Sequence, residues 1–70
     1  MSTATIRLWQ VEDRGEVIQF CTAPPTRDGR MVHISRSVIE HIRRSAPLPT
    51  CGWRPCEVKL PDWLVDKEGL

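Results

Sequence analysis

The C-terminal segment, residues 58–70, constrains the fold more than any other part of the chain. It begins with a short run in which apolar and charged side chains alternate, as they do in a half-buried strand. Pro61 follows at once, and proline suits the first turn of a helix because its missing N–H has no helical partner there. A strand that leads directly into a helix predicts a sheet with a helix docked on it.

The helix of this segment also has a predicted end and a predicted buried side. Gly69 is placed to adopt the left-handed conformation that closes a helix, with Leu70 packing back onto Val65. We expect Trp63 and Leu64 to face the sheet, which makes Trp63 a structural residue. This end of the chain is therefore expected to be docked.

Three further strands are predicted upstream. Their residues are rich in β-branched and aromatic side chains and are bounded by turn-forming residues. Gly15 suits the loop between the first two strands. The predicted strands are residues 5–11, 16–21 and 31–34, with residues 56–60 as the fourth.

The segment after the third strand has two interpretations. Ser37 and Glu40 have the spacing of a helix capping box, and the apolar residues that follow recur at helical intervals until Pro47. This pattern favours a short helix. A strand over residues 39–44 remains the alternative.

Together these elements predict an α+β protein with a single domain spanning residues 1–70. We expect a small antiparallel β-sheet or partly open barrel of about four strands. One or two short helices complete it, including the C-terminal helical turn. The apolar content of 40% is too high for a disordered chain.

The net charge and the hydropathy of the chain limit the kinds of partner that it is expected to bind. The chain has ten basic and nine acidic residues, so its net charge of +1 gives no overall attraction to nucleic acid or to a membrane surface. It has no apolar run of the roughly 18–20 residues that span a membrane, and its first residues do not resemble a signal peptide. We expect a soluble cytoplasmic protein.

Three cysteines are the candidate metal ligands. Cys51 and Cys56 are spaced so that they could form a small disulfide or supply two ligands to zinc, with Cys21 and either His33 or His41 completing the set. The ligands do not form two tight pairs, so we favour reduced thiols, no metal and no cofactor.

Catalysis is also disfavoured. Cys21 with His33, or Cys56 with His41, are conceivable nucleophile and base pairs, but no sequence motif places them together. The chain has no glycine-rich phosphate loop following a strand. We predict that the protein is not an enzyme.

Two segments, residues 32–40 and 57–70, carry a family resemblance. They resemble a group of small, functionally uncharacterised phage and prophage proteins that end in a strand and then a helix reading Pro, acid, Trp, Leu, with Lys-x-Gly-Leu or similar at its end. The chain differs from that group at Ser35, where proline is usual. The resemblance implies a phage-like origin, a compact β-rich fold and a location in the host cytoplasm, and it supplies no catalytic residues.

Protein binding is the function we favour. A small phage-type protein without catalytic equipment is expected to bind a host protein, for instance as an inhibitor of a host enzyme, a regulator or a CRISPR-like defence complex. The predicted contacts lie in two proline-containing loops, where Arg and Trp suit interface anchors. They are Arg27, Arg30, Trp53 and Arg54. An edge strand at residues 5–11 could also pair two copies into a homodimer.

Single-stranded nucleic-acid binding is the alternative. Eight of the ten basic residues are arginines, whose planar side chains suit phosphate. Basic loops with an exposed Trp53 would hold a single strand by phosphate contacts and stacking. The predicted contacts are Arg36, Arg43, Arg44 and Arg54.

Overall fold

The computed structural model of the chain describes residues 2–70. Within that range the chain forms five β-strands, one α-helix and a single 3-10 turn at Arg36–Val38. The strands are β1 (Thr3–Asp13), β2 (Val17–Cys21), β3 (Met31–Ser35), β4 (His41–Arg44) and β5 (Arg54–Pro61), and the helix is α1 (Asp62–Glu68). The predicted antiparallel sheet with a C-terminal helix is confirmed, with one strand more than the four expected.

All five strands belong to one antiparallel sheet in the order β3-β2-β1-β5-β4. The sheet is open, because its edge strands β3 and β4 do not pair. Residues 36–40 nevertheless connect these two edges, which would lie about 19 Å apart in a flat sheet. So short a link, which includes a 3-10 turn, requires the sheet to curve toward the side that the link crosses.

The expected helix after Ser37 is wrong, and the strand alternative is the one observed. The helical conformation ends after the 3-10 turn, and Ile39 is extended, with φ −79° and ψ 115°. The Ser37 hydroxyl lies 2.9 Å from the Ser35 hydroxyl instead of capping a helix. The Glu40 N–H donates to the Lys59 carbonyl at 2.9 Å, so pairing with β5 supplies the backbone bonds that a helix would have supplied.

The hydrophobic core lies on one side of the sheet, which we call the inner face. The register places alternate residues of each strand there, because side chains opposite one another in an antiparallel pair point to the same side. A bulge between Gln10 and Glu12 shifts the register at the end of β1. The buried core residues are Leu8, Ile18, Phe20, Val32, Ile34, Cys56, Val58, Leu60 and Leu64.

Helix α1 ends as the sequence predicts. Gly69 has φ +68°, its N–H donates to the Asp66 carbonyl at 3.3 Å, and the Leu70 N–H donates to the Val65 carbonyl at 3.0 Å. These two bonds form a Schellman motif. Leu70 and Val65 both pack against the core, so the cap also fixes how the helix lies on the sheet.

The buried side of α1 differs from the prediction at Trp63. Leu64 is 8% exposed and faces the sheet, whereas Trp63 is 56% exposed. Successive residues of a helix are rotated by about 100°. With Leu64 and Val65 both packed on the core, Trp63 is carried away from it. Trp63 is therefore a surface residue.

Candidate functional site

The exposed side chain of Trp63 belongs to one candidate binding surface. A shallow depression of about 220 Å³ lies beside it on the side of the molecule that carries α1. Trp63 and the residues that line this depression with it are called the Trp63 surface here. They are Ser2, Thr3, Glu40, Pro61, Asp62 and Trp63.

Three chain segments position this surface. Pro61 ends β5 and sends the chain into α1. The Asp62 N–H donates to the Ser2 carbonyl at 3.1 Å, which ties the start of the helix to the start of β1. Glu40 enters from the link that precedes β4. An exposed indole that shares a depression with acidic residues can hold a cation by stacking and by charge.

A second candidate surface lies on the outer face of the sheet, which is the face opposite the hydrophobic core. Here the register aligns residues of β1, β5 and β4, together with Ser45 after β4, into three rows. We call these nine positions the basic patch. They are Thr5, Lys59 and His41 in the first row, Arg7, Glu57 and Arg43 in the second, and Trp9, Pro55 and Ser45 in the third.

Positive charge exceeds negative charge in the basic patch. Arg7, Arg43 and Lys59 surround one carboxylate, that of Glu57. The Arg7 guanidinium lies 3.8 Å from it, with both side chains more than half exposed, so this ion pair is weak. A depression of about 270 Å³ is lined by Arg7 and Arg43, together with Ser45.

Arg36 and Arg44, two of the residues predicted to contact nucleic acid, are bound by a carboxylate within the protein itself. Arg36 donates to both oxygens of Asp13 at 2.8 and 2.6 Å and to the Gly15 carbonyl at 2.6 Å. Arg44 donates to the Gln10 side chain at 2.6 Å and lies 3.6 Å from Asp13. Arg36 follows edge strand β3 and Arg44 ends edge strand β4. This Asp13 cluster therefore links the two edges of the open sheet.

The Asp13 cluster also changes the pKa of the Asp13 carboxyl. Hydrogen bonds from Arg36 and from the Gly15 N–H hold the pKa of the Asp13 carboxyl below its usual range. The ionised form is thus favoured in the folded protein. Arg36 and Arg44 serve the fold in this arrangement, and of the predicted nucleic-acid set only Arg43 lies in the basic patch.

The two loops predicted to bind a partner are not brought together. β2 runs toward the start of β1 and ends at Cys21, opposite Trp9. The loop of residues 22–30 therefore leaves the sheet on the side where β1 begins. β5 meets β1 first at Gln10, so residues 45–53 leave the sheet in the opposite direction.

Within these loops the predicted anchors differ in exposure. Arg27 and Arg30 are both exposed, and Arg30 lies 3.8 Å from Glu68 of α1. Arg54 begins β5 and is exposed. Trp53 is half-buried, and its carbonyl accepts a 2.7 Å bond from the Leu48 N–H that closes the loop. Trp63 is thus more exposed than Trp53.

All three cysteines are free. Cys51 is exposed in the loop of residues 45–53, whereas Cys21 and Cys56 are buried in strands. Burial raises the pKa of the Cys56 thiol, which donates to the Arg54 carbonyl at 3.2 Å. Among residues 2–70 no three histidine, cysteine or acidic side chains are grouped as a metal site would require.

The conceivable catalytic pair of Cys56 and His41 is separated by the sheet. Cys56 is opposite Leu8 on the inner face, whereas His41 is opposite Lys59 on the outer face. Cys21 and His33 both belong to the outer side of β2 and β3, but Cys21 is only 4% exposed. Neither pair therefore forms an accessible nucleophile and base.

The strand predicted to pair two copies is only partly an edge. Residues 5–11 lie in β1, which pairs with β5 along residues 3–10 but with β2 only from Trp9 onward. Residues 5–8 therefore have a neighbouring strand on the β5 side alone, and pairing of a second copy there stays a prediction. In the part of the chain that the structure covers, no helix is both long enough and apolar enough to cross a membrane.

The chain matches no protein-family model, no curated protein and no solved structure. The function is therefore argued from the surfaces themselves.

Three residues of these surfaces were missed from sequence. No local pattern marks Arg7 or Lys59 as a binding residue, because only the register between three strands makes them neighbours of Arg43. The signal for Trp63 was present in the sequence. Leu70 is predicted to pack on Val65, which puts Val65 on the buried side of the helix. Trp63 precedes Val65 by two residues, or about 200° around the helix axis, so its indole is placed on the solvent side.

Proposed function

We propose that this protein acts by binding another protein, without catalysis, through the Trp63 surface. The observation that carries the proposal is the 56% exposure of Trp63 in a domain this small. Exposing the apolar surface of a large aromatic side chain to water is unfavourable. Such side chains are enriched among the residues that anchor protein interfaces. The resemblance to small phage proteins supports a host protein as the partner. Binding would then take place in the host cytoplasm.

The chemistry of the surface specifies the kind of partner. Glu40 and Asp62 line the depression beside the indole, and Asp66 and Lys67 are the exposed residues on the next turn of α1. A partner that presents an arginine or lysine with apolar residues around it would stack its cation on Trp63 and pair it with a carboxylate. In an inhibitor of a host enzyme, regulator or defence complex, this contact would occupy a basic surface of the target.

The test compares two tryptophans. Tagged protein is used to capture partners from a bacterial lysate, and the captured protein is identified and its binding measured with purified components. We expect Trp63→Ala and Glu40→Lys to lose the partner while Trp53→Ala keeps it. Circular dichroism shows whether each variant is folded.

The opposite pattern would reject the proposed surface. If Trp53→Ala loses the partner and Trp63→Ala keeps it, the loop of residues 45–53 is the anchor. A partner retained by both Trp63→Ala and Glu40→Lys would mean that this surface plays no part in recognition.

A further inference from the structure

We propose that the basic patch on the outer face binds the phosphate backbone of single-stranded nucleic acid. This binding would be a second function, on residues distinct from the Trp63 surface. The two surfaces share no residue, although Thr3 and Pro61 of the Trp63 surface lie one row beyond Thr5 and Lys59 on the outer face. Either can fail without the other.

The cations of this patch lack strong partners inside the molecule. Arg43 and Lys59 have no carboxylate within 4 Å among residues 2–70, and the guanidinium of Arg7 has only the weak contact with Glu57. Arg27, Arg54 and Lys67 are also unpaired in the described chain, but they lie outside the rows of the patch. The register therefore makes this the place where available cations are neighbours.

The shape of the patch suits a chain of phosphates more than a single ion. Adjacent strands lie about 4.8 Å apart, so Arg7 and Arg43 are separated by about 10 Å across the depression. Lys59 lies between these strands in the next row. Three cations spread over two rows can contact successive phosphates of an extended strand.

The third row supplies a surface for a base. Trp9 is half-buried on β1, opposite Pro55 of β5. An indole fixed in a sheet next to cations is the usual platform on which a single-stranded base stacks. Ser45 also lines the depression, and a serine hydroxyl can donate a hydrogen bond to phosphate.

The Glu57 carboxylate makes the proposal unusually testable, because it opposes binding. It lies between Arg7 and Arg43 in the same row and repels an incoming phosphate. Removing its charge should tighten binding, whereas removing an acid elsewhere should not. A nonspecific attraction between nucleic acid and any basic residue does not predict this difference.

The experiment measures the fluorescence anisotropy of a labelled oligothymidylate of about 12 nucleotides, within the usual span of one small binding domain. Three phosphate contacts predict a loss of affinity of about 20-fold between about 50 and 200 mM salt. We expect Arg43→Glu to weaken binding at low salt by at least about fivefold. Glu57→Gln should tighten it by about threefold.

Matched controls make the outcome decisive. Arg27→Glu makes the same change of charge in an exposed loop and should leave affinity within about twofold of the original. An abasic chain of equal length should bind more weakly, because it has nothing to stack on Trp9. Circular dichroism checks that each variant is folded.

Several results would overturn the proposal. One is the absence of oligonucleotide binding at low salt. Another is an equal loss of affinity in Arg27→Glu and Arg43→Glu, and a third is no gain in Glu57→Gln. Equal binding of the abasic chain would also overturn it, since any phosphate polymer would then serve.

Discussion

Replacing Leu64 and Trp63 separately by alanine tests how α1 lies on the sheet. The two residues are adjacent, yet Leu64 is 8% exposed and Trp63 is 56% exposed. On size alone the tryptophan would be expected to contribute more to stability, since it has the larger apolar surface. The structure predicts the reverse order.

The magnitudes follow from burial. Truncating a buried leucine to alanine costs about 2–5 kcal/mol, and Leu64 lies at the margin of the core, so we expect about 2–4 kcal/mol. A domain of 70 residues has a free energy of unfolding of about 3.5–10 kcal/mol. The melting temperature should thus fall by on the order of 10–20 °C. Trp63→Ala should cost about 1 kcal/mol or less.

The assay is urea unfolding followed by far-ultraviolet circular dichroism, since Trp63→Ala itself removes a fluorophore. Leu64→Met is the matched control and should cost less than about 1.5 kcal/mol, because it nearly conserves volume. If Trp63→Ala destabilises the protein as much as Leu64→Ala, the helix is rotated from the orientation described and Trp63 belongs to the core.

Three further outcomes are expected. Asp13→Asn should lower the urea midpoint at neutral pH. Because the folded state holds the pKa of Asp13 down, its stabilisation is present at neutral pH and is lost as the pH falls. The difference from the original protein should therefore shrink as the pH falls below the usual aspartate pKa of about 4, and a difference independent of pH would contradict the ion-pair cluster. Gly69→Ala should cost about 1–2 kcal/mol in the same unfolding assay, because φ is +68° there, and no loss of stability would mean that the cap is not left-handed. A thiol reagent should modify Cys51 rapidly and the two buried thiols only on unfolding, so rapid modification that persists in Cys51→Ser would show that a strand cysteine is accessible.

Local signals predicted much of the fold. Alternation along β5, proline at its end and glycine after α1 each depend on residues close in sequence, and each is observed. The helix expected after Ser37 failed because its pattern was short and β-branched residues fit a strand equally well. There the pairing of β4 with β5 decided the conformation.

The candidate surfaces were harder to predict, as Arg43 and Arg44 show. The two residues are adjacent in sequence, and the sequence alone predicts that both contact nucleic acid. In strand β4 they point to opposite faces, so that Arg44 joins the Asp13 cluster while Arg43 joins Arg7 and Lys59. Residues adjacent in a strand do not share a surface.

The sequence by itself determined the class of fold, the short strands, and the helix with its left-handed cap, because these depend on side-chain periodicity and on the conformations open to proline and glycine. Only the tertiary structure decided the strand register, the central position of β1 and the charge that collects on each face. These depend on contacts between residues far apart in the chain. The C-terminal segment illustrates both: its sequence predicted the helix, and its packing decided that Leu64 is buried and Trp63 is exposed.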